Sequence, residues 1–359
     1  MFINASFTTF APVLPDNMTG HMRFLLFLLV SIVLLTACGN EDEIPRPDIS
    51  DVKINFKLER FEQDIFALDT TQLQTGMEQL LGKYPMMLPL FCNEIIHDQS
   101  NPAETPRQAL AAFLATPQIK HIYDTVQQVY GNLDWLEKDL TQMFRYYKYY
   151  FPEKPTPQVV TMISEFATDA FTAGDSLCGI GLDLFLGENY PGYDPDVFPA
   201  FMRRQFKKEY IPVRLAKAVA QNSSDGPSGQ RLLDIILHNG KELYLVDCLL
   251  PEVPDSMKMG YTAEQMGGCY ANEAEVWARL LSEKLLYSTD YDKFRKLVSP
   301  SPNAPIVFSE APGEIGNWVG LRIVKAYMKR YPKTTMKELF QMTDSQKFLE
   351  LAKYKPKRD

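Results

Sequence analysis

Among the side chains able to do chemistry, the run His238-Asn239-Gly240-Lys241-Glu242 comes first, because His238 and Glu242 are four positions apart and share one face of a helix. A zinc ion needs about three protein ligands. Glu273 or Glu275, in Asn272-Glu273-Ala274-Glu275-Val276-Trp277, would complete the set from a following helix. Two ligands on one helix and a Glu on the next is the order a zinc peptidase uses. Here, however, Asn239 stands where the general-base Glu would be and Glu242 where the second His would be, which leaves one imidazole. A carboxylate-rich set of this kind suits Ca²⁺ or Mg²⁺ better than zinc. The plainer reading is a polar helix surface, and no metal or cofactor is expected. No His-Glu-x-x-His, Gly-x-Ser-x-Gly or Walker-type loop occurs.

A second chemistry-bearing position is Cys38. Phe24–Leu35 is an uncharged apolar run of twelve residues behind Met22-Arg23. A membrane span needs about 20 apolar residues, whereas a secretory signal uses about 7–15 behind a positive segment. Leu35-Thr36-Ala37-Cys38 then resembles a bacterial lipobox, in which the Cys receives diacylglycerol and the chain is cut before it. Residues 1–37 are thus expected to be a signal peptide, starting at Met18 or Met22. Residues 38–51 form a polar, acidic, proline-containing tether behind the lipidated Cys. Acidic residues in that place resemble a surface-export tag and equally fit a solvated linker.

The remaining cysteines, Cys92, Cys178, Cys248 and Cys269, contain no Cys-x-x-Cys and lie among apolar residues, the setting of buried free thiols. With 37 Lys and Arg against 45 Asp and Glu, the net charge of −8 and the lack of a basic block argue against nucleic-acid binding.

Positioning such residues requires a folded body, expected over 52–359, in a chain of ordinary globular composition with 45% hydrophobic and 23% charged residues overall. Alternation of Val52, Ile54, Phe56 and Leu58 with polar neighbours predicts a half-buried strand. Helices are predicted behind Asp69 and at Thr105-Pro106, then over 118–130 and 133–150. The aromatic run 144–151 reads as core packing. Strands are predicted over 158–166 and 177–186. The pair Gly179 and Gly181 lacks the third Gly of a dinucleotide fingerprint, and the strand continues through it. Further helices are predicted over 198–221, 230–250, 262–287, 316–331, 336–341 and 345–354. Trp277 and Trp318 are expected to bring their helices against 231–249 in one core. The fold class is therefore α+β, mostly helical, with a small central sheet flanked by helices.

Several segments in order carry a resemblance: Gly179–Gly187, Gly240–Pro251, Met259–Gln265, Asn272-Glu273-x-x-x-Trp277, Leu286–Asp290, Pro312–Gly320 and Lys353–Pro356. Together with the lipobox they resemble the gliding-motility-associated lipoprotein GldB family of Bacteroidetes, over essentially the whole chain behind Cys38. That resemblance implies a single GldB-like domain and a membrane attachment through lipid on Cys38. It further implies envelope partners belonging to a gliding or type IX secretion apparatus. The location implied is the cell envelope, at the outer membrane on its periplasmic or surface face, with the inner membrane left open.

The family in turn is similar to predicted zinc peptidases of zincin architecture. In that comparison Leu182–Leu186 is the edge strand, Arg231–Leu249 the active helix, and His238, Glu242, Glu273 and Glu275 the remains of the cleft with its metal motif lost. The expected function is that of a non-catalytic accessory lipoprotein. A divergent zinc-dependent hydrolase and a glycan- or peptidoglycan-binding lipoprotein are the alternatives.

Overall fold

A computed structural model describes residues 46–357. The signal segment, Cys38 and the first part of the acidic tether lie outside the described residues. The body is mostly helical with one four-stranded sheet, in the order β1-β2-β4-β3. The strands are β1 (Leu58–Arg60), β2 (Gln158–Met162), β3 (Ala170–Ala173) and β4 (Leu177–Gly181). β1, β2 and β4 run parallel, with Leu58 opposite Val159 and Val159 opposite Cys178; β3 is antiparallel to β4 at the edge, with Phe171 opposite Gly179.

The first expected strand is mostly unpaired. Val52, Ile54 and Phe56 are half-buried and the residues between them exposed, as alternation requires, yet only Leu58–Arg60 enters the ladder. Phe56 stacks instead on Phe144, with ring centroids 5.3 Å apart. Between β1 and β2 run α1 (Phe61–Phe66), α2 (Leu73–Lys83), α3 (Pro106–Ala115), α4 (Pro117–Val129) and α5 (Asp134–Tyr150), with a π-helical turn at Phe91–Ile95. Local chemistry sets the starts. Thr105 caps α3 by a reciprocal box with Gln108, and Pro106 takes a first-turn position where its missing N–H is harmless. Asp69 accepts the Thr71 N–H, but a single 3-10 turn intervenes before α2.

The segment 182–186 is not a strand. β4 stops at Gly181 and Leu182–Phe185 forms a 3-10 turn. The reason is Asp183, fully buried, whose carboxylate accepts the backbone N–H groups of Ser164 (3.1 Å) and Phe166 (2.6 Å). Those bonds hold Glu165 and Phe166 at φ 55° and 65°, a region that non-glycine residues seldom occupy. Burial pushes the Asp183 carboxyl up to about 6 against the pull of the donors. Gly179 is explained by packing: the Phe171 ring lies where a side chain on β4 would be, 2.1 Å from a Cβ at that position.

The second half contains α6 (Ile211–Asn222), α7 (Leu232–Leu249), α8 (Asp255–Met259), α9 (Ala263–Ala271), α10 (Glu273–Ser282), α11 (Tyr291–Val298), α12 (Ile315–Arg330), α13 (Met336–Gln341) and α14 (Ser345–Ala352). The expected helix 198–221 is interrupted, because Pro212 sits in the first turn of α6 and cannot continue a helix from upstream. The expected helix 262–287 is also divided. Asn272 donates its side-chain amide to the Gly268 carbonyl and closes α9, and Lys284 in the left-handed region closes α10.

Packing is layered outward from the sheet: α6 against β3, α7 against α6, α12 against α7, and α14 against α12. α7 is therefore buried over most of its circumference. An ion-pair group fastens its far end, where Asp247 holds both Lys258 and Lys325 at 2.6 Å. Trp318 is 1% exposed and lies in α12, which packs on α7 as expected. Trp277 does not share that place. It is half-buried and its ring meets Tyr354 edge-on at 5.1 Å, because Leu281 on the next turn faces solvent. The described cysteines, Cys92, Cys178, Cys248 and Cys269, are buried and free.

Candidate functional site

α7 carries the sequence-selected His and Glu, and its helical period deals its residues onto two cavities. Asp234, Leu237, His238 and Lys241 line a cavity of about 460 Å³, closed by the loop after α6 and the α13–α14 turn. Asn239, Glu242, Leu243 and Val246, one face over, line a cleft of about 350 Å³. The His238–Glu242 pair spans the boundary between them.

The pair is formed and enclosed. His238 Nε2 lies 3.0 Å from Glu242 Oε1, and the Ser224 hydroxyl donates to the same oxygen at 2.7 Å. Both side chains are only 15% exposed, so the outside-of-the-helix reading does not describe them. Asn239 donates to the Asn317 side-chain oxygen at 2.8 Å, and Asn317 donates onward to the Val298 carbonyl at 3.1 Å. The groups that α7 offers at the positions of a peptidase base and ligand thus have internal partners.

Glu273 and Glu275 are not brought to this pair; neither lines either cavity. Glu273 is 1% exposed, and Arg322 binds it through Nε at 3.0 Å while the Tyr354 hydroxyl donates to Oε1 at 2.7 Å. A buried carboxylate needs such a partner, and here α12 and the C-terminal segment supply it. Glu275 is exposed on α10. Among the described residues no group of three or more His, Cys, Asp or Glu is placed to hold a metal ion. The four selected residues therefore do not fit a zinc site.

Cations that no sequence motif marks line both cavities. Arg204, Arg214 and Lys217 line the 350 Å³ cleft together with Glu314. Arg214 pairs with Asp169 at 3.0 Å. Burial, and then the Arg214 charge, lower the Lys217 amine to about 8, and burial raises the Glu314 carboxyl. Lys241 lines the other cavity. The available signal was its position as a lone cation within the apolar run of α7, between Ile235-Ile236-Leu237 and Tyr244-Leu245-Val246.

The sequence profile of the family described as gliding motility protein GldB matches residues 42–356. The chain belongs to the GldB family. No curated protein and no solved structure matches it. The GldB match takes in both cavities, the sheet and the C-terminal Tyr354 contact. No helix among the described residues of this GldB chain is long and apolar enough to cross a membrane.

Proposed function

We propose that this GldB-family chain is a non-catalytic accessory component of a gliding or type IX secretion apparatus. Lipid on Cys38 holds it at the cell envelope, and the cleft beside Asn239 and Glu242 receives a segment of a partner protein. One observation carries this reading: Glu242 is held by His238 and Ser224, and Asn239 by Asn317, so α7 offers the cleft a wall of polar groups engaged with one another. The amides and cations around that wall, including Gln205, Gln265 and Arg204, supply donors for the backbone carbonyls of an extended segment.

The test places a photoreactive p-benzoylphenylalanine at Phe201, which lines the cleft, and in a second strain at Tyr149, an exposed residue that lines neither cavity. Cross-linking in intact cells should join Phe201, but not Tyr149, to a protein of the gliding or secretion machinery. Stoichiometric zinc in the purified protein, with peptide hydrolysis that disappears in His238→Ala, would replace this reading by the hydrolase.

A further inference from the structure

The cavity on the His238 side of α7 holds a buried cation carried by α7 itself. Lys241 is 7% exposed, and its amine makes one hydrogen bond, to the Met342 carbonyl at 2.5 Å, while lying 5.0 Å from the Phe348 ring centroid. Among the described residues no carboxylate pairs with it. A buried ammonium without a counter-charge is costly, and proteins almost always give such a group an anionic partner. Burial accordingly lowers this amine to about 8, so near neutral pH it still carries its charge.

The surroundings narrow the partner. Phe151, Phe340, Phe348 and Leu237 give the cavity apolar and aromatic walls, and Ser228 and Thr343 add hydroxyls. Its volume of about 460 Å³ falls within the range of small-molecule sites, about 300–1,000 Å³. The other charged groups on the wall are Glu153, Asp225 and Asp234 against Lys154 and Lys337, with His238 held by Glu242. Lys154 is already paired with Asp175, and Asp234 with Arg231. Glu153 and Asp225 remain against Lys337, which disfavours a doubly charged ligand such as a phosphate monoester and leaves room for one negative charge at Lys241.

We infer that this cavity binds a small amphipathic monocarboxylate, its carboxylate on the Lys241 ammonium and its apolar part against Phe151, Phe340 and Phe348. The site lies outside the cleft assigned to a protein partner and does not depend on that assignment.

The probe is 3-phenylpropionate, compared with uncharged 3-phenylpropionamide, titrated calorimetrically into the full chain in a non-ionic detergent at pH 7. The acid should bind saturably at one per chain and at least ~10-fold more tightly than the amide, as expected for a charge-assisted bond to a desolvated amine. Lys241→Met should remove the preference for the acid. Acetylation of Lys241 in the wild-type protein, followed by mass spectrometry, should be suppressed by the acid and unaffected by the amide. This last measurement needs no variant. Equal binding of acid and amide, no saturable binding up to about 10 mM, or undiminished acetylation of Lys241 at saturation would each overturn the proposal.

Discussion

Gly240 of α7 and Gly320 of α12 touch backbone to backbone where the two helices cross. A Cβ on Gly240 would lie 2.3 Å from the Gly320 carbonyl carbon, and one on Gly320 would lie 1.7 Å from the Ile236 carbonyl oxygen. The glycine inside the His-Asn-Gly-Lys-Glu run thus serves helix packing.

Gly320→Ala should destabilise the protein by about 2–3 kcal/mol, because the obstructing atoms are backbone and cannot rotate aside. Gly267→Ala, at an exposed position of α9 with nothing near its Cβ, should instead stabilise by up to about 1 kcal/mol. Chemical denaturation of both variants checks the pair. Equal effects would mean that the crossing is looser than described.

The two tryptophans should separate in the same assay. Trp318→Ala empties a fully buried position and should cost about 3–5 kcal/mol. Trp277→Ala removes a half-buried ring packed on Tyr354 and should cost about 1–2 kcal/mol.

Asp183 should leave a pH signature. Between its ordinary value of 3.8 and about 6 the folded chain holds a proton that the unfolded chain lacks. Its stabilising contribution is therefore complete below about pH 3.8 and is lost as pH rises through about 6. The stability of wild type relative to Asp183→Asn should be greater at pH 4 than at pH 7, by at most about 3 kcal/mol. A gap that does not change with pH would show the carboxyl to be ionised throughout.

Lys241 should act in the opposite window. Between about 8 and 10.5 the unfolded chain holds a proton that the folded chain has released, so wild-type stability rises with pH there. Lys241→Met removes a buried charge and should raise stability at pH 7 by about 1–3 kcal/mol, net of the lost bond to Met342. The advantage should shrink above pH 8, which thermal unfolding at pH 7 and pH 9.5 would read.

Cys38→Ser should abolish metabolic labelling by a palmitate analogue and leave an uncleaved or soluble species, since the chain is cut only before a lipidated Cys and firm anchoring requires more than one acyl chain. Retained label on the variant would place the lipid elsewhere.

What the sequence made legible was local. The Thr105 cap, the burial of alternate residues from Val52 to Phe56 and the breadth of α7 follow from neighbours a few positions away. What it hid was set at long range. Ile54 and Phe56 have strand periodicity, but pairing depends on a partner edge that β2 presents only to Leu58–Arg60. Glu273 has the type and spacing of a ligand, and only the arrival of Arg322 from α12, with Tyr354, shows it to be a structural anion. The division of α7 between two cavities, and the isolation of Lys241 in one of them, likewise depend on what α13 and α14 cover.

The four buried thiols make oxidation a question of timing. Burial holds Cys92 at about 11 and Cys178, Cys248 and Cys269 at about 12, so the thiolate that disulfide exchange requires is almost absent once the chain has folded. Under oxidising conditions the folded chain would therefore resist disulfide exchange, whereas the unfolded chain exposes all four. Every disulfide formed early ties together residues that the native structure keeps as separate thiols, so folding competes directly with oxidation, and the yield records which is faster.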